Sequence, residues 1–210
     1  ATQLLHRSGR LWLVCVAAML PFAVVGAWFY TDLSYGLLSD LPRTARSVTG
    51  TEMVRRHFPD GLTGPISVLI DAPGLDFAQI GEDGGVDVVA RLTQALAARK
   101  GDLKLSDVRS VAYPLGGDSG LESISNPAIY KLTLQRAINT YVGFDDDHAH
   151  VTRLELIADE DPFTRNSIRQ LTELEQQLPQ TWKGVTEIPA TFSVLGPTAS
   201  IRDLKSVTDR

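Results

Sequence analysis

Apolar residues change rhythm along this chain. From Leu11 to Tyr30 they form one run of twenty consecutive residues without a charge. As a helix rising about 1.5 Å per residue, such a run covers about 30 Å, the thickness of a bilayer's hydrocarbon core. Pro21 would kink that helix without forbidding it. Trp12 at one end and Trp28, Phe29 and Tyr30 at the other stand where aromatic belts meet lipid headgroups. Arg7 and Arg10 precede the run, and Asp32 and Asp40 follow it. The pattern therefore predicts a transmembrane helix over 11–30 behind a cytoplasmic lead-in, 1–10. By the positive-inside rule, everything after Tyr30 is extracytoplasmic. The competing reading is a cleaved signal peptide with Val25 and Ala27 at the cleavage site. A run of twenty exceeds the usual signal core of about 7–15 residues, which favours the membrane helix.

Beyond a connector, 31–46, helical and strand periods take turns. Thr49-Gly50-Thr51-Glu52 has the form of a capping box, and Met53, Val54 and Phe58 follow at helical spacing until Pro59-Asp60-Gly61. Pro65 to Asp71 reads as a strand apolar enough to lie centrally in a sheet. Val88, Val89, Leu92, Ala95, Leu96 and Arg99 mark a helix closed by Lys100-Gly101. Val108 to Pro114 reads as a second strand, and Gly116-Gly117-Asp118-Ser119-Gly120 as a loop. Asn126-Pro127 is a helix start, with a capping residue followed by proline at the first helical position. Val151 to Ile157 alternates as a third strand. Asp161-Pro162 opens the best amphipathic helix, with Ile168, Leu171, Leu174 and Leu178 on one side. A last strand at 190–195 ends at Gly196-Pro197, and 198–210 reads as a helix leading to a further membrane segment.

Without connectors the order is β-α-β, an insertion, then β-α-β. The expected class is α+β: one N-terminal transmembrane helix followed by a ferredoxin-like βαββαβ domain over 31–197, with a helical insertion at about 115–148. Composition adds to this picture. With 43% hydrophobic and 21% charged residues, the chain is globular rather than disordered. After Tyr30 stand 25 acidic residues against 18 basic ones, which argues against nucleic acid as a partner. Cys15 is the single cysteine, so no intrachain disulfide forms.

Candidate chemistry is sparse. In Asp145-Asp146-Asp147-His148-Ala149-His150 the two histidines share a strand face beside carboxylates, as metal ligands do. An acidic turn entering a strand accounts for the same residues, and nothing fixes a coordination geometry, so no metal site is assigned. Asp159-Glu160-Asp161 offers paired carboxylates, but their place at a helix start is explained by capping and the helix dipole. Gly116-Gly117 and Gly120 lack phosphate-loop spacing, and no serine stands in a nucleophile elbow. No catalytic residue, cofactor or enzyme activity is expected. Tyr113, Tyr130, Tyr141, Phe144 and Phe163 would line a groove for a hydrophobic ligand, or serve as core; the core is the commoner use. Trp182 is expected in a loop.

A family resemblance rests on an ordered set of short segments: Leu38-Ser39-Asp40-Leu41-Pro42, Ser47-Val48-Thr49-Gly50-Thr51, His57-Phe58-Pro59-Asp60-Gly61, the strand at 65–70, and Val194-Leu195-Gly196-Pro197-Thr198-Ala199. Together, behind an apolar helix, these resemble the extracytoplasmic porter domain in the MMPL branch of the resistance-nodulation-division (RND) transporters. The resemblance implies a longer parent of two similar halves in the inner (plasma) membrane, of which this chain opens one, and the start at Ala1 fits an excised segment. It further implies export of lipids or other hydrophobic compounds driven by proton-motive force. The proton-relay carboxylates would lie in other membrane helices, since none falls between Leu11 and Tyr30. The implied partners are the lipid bilayer, a hydrophobic cargo, the remaining transmembrane helices and a pseudo-symmetric porter domain. The alternative is a single-pass, membrane-anchored binding or sensor domain acting alone.

Overall fold

The computed structural model describes residues 2–29, 41–42, 44–117, 120–145 and 148–208. Tyr30 and most of the 31–46 connector, Leu37 and Leu38 included, lie outside the described residues. So do Asp118, Ser119, Asp146, Asp147 and the last two residues of the expected C-terminal helix. The chain divides into two compact units, Ala1–Tyr35 and Gly36–Arg210.

The described residues of the first unit form one helix, α1 (Thr2–Phe29). Among the described residues, no helix is long and apolar enough to cross a membrane. Trp12, Leu13, Met19 and Phe22 of α1 are exposed.

The second unit is α+β. Its elements are α2 (Arg46–His57), β1 (Ile66–Asp71), α3 (Gly85–Ala97), α4 (Lys100–Leu103), β2 (Leu105–Arg109), α5 (Pro127–Tyr141), β3 (Val142–Asp145), β4 (His148–Ala158), α6 (Arg165–Lys183), β5 (Thr191–Leu195) and α7 (Pro197–Thr208). The sheet runs β2-β4-β1-β5, with β3 also on β4. Every neighbouring pair is antiparallel. β1-α3-β2 and β4-α6-β5 are thus two interleaved β-α-β units, each leaving a place that a strand of the other fills.

Burial follows from this arrangement. Ile66, Val68 and Ile70 of β1 point into the core with Leu154 and Leu156 of β4, and Ser67, Leu69 and Asp71 point the other way. Val88, Val89, Leu92 and Leu96 of α3 and Leu171, Leu174 and Leu178 of α6 bury their stripes in the same cluster. The opposite face carries charge. Arg153 bonds Glu155 at 3.2 Å and lies 5.6 Å from the centre of the Tyr141 ring.

The expected fold class is corrected on two counts. No described helix is a membrane span, so the transmembrane helix is withdrawn. The sheet has five strands rather than four, because the insertion is not purely helical and contributes β3 beside α5. The reason lies in strand length. β4 runs for 11 residues, and β2 pairs only its Glu155–Ala158 end. The free N–H and C=O groups of its first half need partners, and β3 supplies them.

Several boundaries also move. α2 begins at Arg46, and the Thr49 hydroxyl donates to the Ala45 carbonyl inside the helix, so the capping box does not form. β2 begins at Leu105 rather than Val108, because Lys104, at φ 52°, turns the chain into the ladder directly after α4. Val111, Ala112 and Tyr113 are buried as loop. α6 starts at Arg165, capped by Thr164, whose hydroxyl accepts from Ser167 N at 3.2 Å. Asn126 caps α5 through Ala128 N at 2.9 Å.

Candidate functional site

The strongest candidate is an apolar groove where α6 passes the edge strand β5. Its volume is about 370 Å³, and Leu178, Pro179, Ala190, Phe192 and Val194 line it together with Glu175 and Thr191. The strand alternation of β5 turns Phe192 and Val194 toward α6 and leaves Thr191, Ser193 and Leu195 exposed. Pro179 sits inside α6 and adds its apolar ring to the groove wall. Beneath Phe192 lies Trp182, edge-on with ring centres 6.0 Å apart, and beyond it Phe77 at 6.5 Å. Trp182 Nε1 donates to the Ile188 carbonyl at 2.7 Å, so the buried indole has its polar atom satisfied. Glu175 pairs with Arg202 of α7, a hydrogen bond that raises the Arg202 pKa above its ordinary value.

A second, wider cleft of about 620 Å³ opens where β1 ends and β4 begins. Pro73, Gly74, Leu75, Asp76, Gln79 and the first three residues of β4 line it. His148 and His150 meet here. His150 Nε2 lies 3.8 Å from Asp71 Oδ1, beyond hydrogen-bond range, and that oxygen is buried without a hydrogen bond. Asp146, Asp147 and the side chain of Asp145 are outside the described residues. Among those described, no group of three or more His, Cys, Asp or Glu is placed to hold a metal ion.

The other sequence candidates separate. Asp161 pairs with Arg55 of α2 and accepts from Phe163 N at 3.0 Å, while Glu160 reaches Lys104 at 3.4 Å and also bonds Asn166. These carboxylates tie segments together and do not converge as a pair. In the glycine-rich loop, Gly117 N donates to Asp107 Oδ1 at 2.8 Å, so that amide faces a carboxylate of its own chain. Gly116 stands at φ 75°, and a Cβ there would fall 1.8 Å from Asp107 Oδ2.

The five aromatics do not share a groove. The Tyr113 hydroxyl accepts from Gln94 Nε2 at 2.7 Å and donates to Glu122 at 3.2 Å. Tyr130 lines a small hollow of about 210 Å³ with Ile80, Val86 and Leu121. The Tyr141 hydroxyl donates to the Pro114 carbonyl at 3.2 Å. Burial, and next the Glu155 charge, raise the Tyr141 pKa above 10.0. Phe144 is exposed and Phe163 half-buried.

Trp182 is the clearest change from the sequence reading. It sits in the last turns of α6, 2% exposed, rather than in a loop. The signal was present, since Leu171, Leu174, Leu178 and Trp182 continue one helical stripe, but Pro179 masks it. Asp107 gave no signal of its tie to the glycine-rich loop, because Gly117 lies ten residues further along the chain.

No protein-family model matches this chain, and no curated protein matches it significantly.

Proposed function

We propose that the unit from Gly36 onward is a substrate-pathway domain of an exporter of lipids or other hydrophobic compounds, similar to the MMPL branch of the RND transporters. The domain works on the extracytoplasmic side of the inner (plasma) membrane, within a longer parent that supplies the membrane-crossing helices. Cargo passes along it, and the domain moves as a rigid body against a pseudo-symmetric partner domain. It does no covalent chemistry.

The observation that supports this reading is the α6–β5 groove. Its lining is aliphatic and aromatic apart from Thr191 and Glu175, and Glu175 is paired with Arg202. At about 370 Å³ it lies near the lower end of small-molecule sites, roughly 300–1,000 Å³. An acyl chain fits such a surface because burying each CH₂ contributes about 0.8 kcal/mol and requires no hydrogen bond.

The test is photolabelling in cells that make the parent protein, with a fatty acid bearing a diazirine on its chain. Val194→Trp fills the groove, so labelling of the 175–194 segment falls at least tenfold and efflux of a lipophilic dye falls with it. Unchanged labelling in Val194→Trp refutes the groove as cargo site. The orientation is read separately. In a Cys15→Ser background, His148→Cys reacts with a membrane-impermeant maleimide in intact cells, and reaction only after lysis refutes the extracytoplasmic placement.

A further inference from the structure

We infer that β5 is the pairing edge for β5 of a second copy of this chain, joined antiparallel about a two-fold axis through Ser193. This inference stands on the sheet edge alone and does not depend on the cargo reading.

The two edges of the sheet differ. On one side, β2 carries a register irregularity between Leu105 and Asp107 and the charges of Asp107 and Arg109. β3, on the same side of β4, is irregular between Gly143 and Asp145. Bulges and charges of this kind are how natural sheets keep an edge from pairing. β5 has none of them. It pairs in unbroken register with β1 from Thr191 to Leu195, and its five residues, Thr-Phe-Ser-Val-Leu, hold no charge, proline or glycine. Pairing to β1 occupies one side of each strand position in turn, so alternate residues of β5 direct N–H and C=O groups away from the sheet.

The occupant follows from the strand's symmetry. A two-fold axis at Ser193 sets Thr191 opposite Leu195 and Phe192 opposite Val194 of the other copy. Apolar side chains therefore meet apolar ones on the α6 side, and no like charges meet anywhere along the ladder. Pro189 and Pro197 each stand four residues from Ser193. Neither has an N–H to offer, and this axis alone places both just outside the ladder, each opposite the other. Moving the axis by one residue brings a proline toward the paired segment or shortens the ladder. Two-fold pairing is also the commonest closed arrangement for a self-complementary patch. The two α6–β5 grooves then meet across the axis, with Phe192 and Val194 of both copies forming a continuous apolar floor.

A five-residue ladder buries little surface, so the dimer belongs with weak, concentration-dependent interfaces, those below about 1,200 Å². The experiment uses the full chain in density-matched detergent, in a Cys15→Ser background. Sedimentation equilibrium shows the protein mass rising from 22.9 kDa toward twice that as concentration rises. Ser193→Lys apposes two cations at the axis and returns the mass to that of one chain, with the circular dichroism spectrum unchanged because Ser193 is exposed. Under mild oxidation Ser193→Cys gives a covalent dimer, since residues on the axis have Cα atoms about 4.5–5.5 Å apart, within disulfide reach. Thr191→Cys is the internal comparison: its two copies stand about 14 Å apart along the strands and do not cross-link. A chain monomeric at every concentration overturns the inference. So does a dimer indifferent to Ser193→Lys, or equal cross-linking by Thr191→Cys and Ser193→Cys.

Discussion

Leu171→Ala tests the packing of the second unit at its centre. Leu171 is 0% exposed and lies on the α6 stripe, with Leu174 and Leu178, at 1%, on the two turns that follow it. The change deletes three carbons, whose transfer from water alone stabilises by about 2.4 kcal/mol at 0.8 per methylene. The side chain is held between α6 and a sheet whose core residues Val68, Leu154 and Leu156 are fully buried, so the site collapses little. A residual cavity adds to the transfer loss, and the total falls in the range of about 3–5 kcal/mol. That is a large share of the roughly 5–15 kcal/mol that holds a domain together. Glu173, two residues on, is exposed, and Glu173→Ala changes stability by less than about 0.5 kcal/mol. The measurement is urea unfolding of a chain beginning at Gly36, followed by Trp182 fluorescence. With a slope near 2 kcal/mol per molar urea, Leu171→Ala lowers the midpoint by about 1.5–2.5 M, and Glu173→Ala leaves it in place. Equal, small shifts in the two variants would show that this stripe does not face the sheet, and the interleaved β-α-β packing would fall with it.

Two further outcomes follow from the same structure. Thr164→Ala removes the α6 cap that accepts from Ser167 N, at a cost of about 1 kcal/mol in the same unfolding assay, and Thr164→Ser restores most of it. Tyr141 has its pKa raised by burial and by Glu155, so the folded state favours the neutral phenol. Its contribution is fully present below pH 10.0, the ordinary value, and is lost as pH climbs through the raised one, because the unfolded chain ionises first. The difference in phenolate absorbance between the parent chain and Tyr141→Phe therefore has its midpoint above 10.0, and a midpoint at or below it contradicts the buried placement.

Local pattern alone determined the elements whose causes are local. The 3–4 spacing of Leu171, Leu174 and Leu178 defines the buried side of α6 because any helix with that stripe must cover it. Asn126-Pro127 marks the start of α5 because a capping oxygen and a fixed φ act within three residues. The apolar content of 65–71 marks β1 as a central strand before any partner is known. Tertiary structure decided what depends on distant partners. β2 begins at Leu105 and not Val108 because the end of β4 is there to pair with it. β3, with two apolar residues in four, forms only because the long first half of β4 needs an edge partner. The apolar run at 11–30 suggested a membrane span, and among the described residues no helix meets the length and hydropathy that a span requires. The groove was not legible at all. It exists because Leu178 and Pro179 of α6 come to lie beside Phe192 and Val194 of β5, and that adjacency is set by strand order, which no local period encodes.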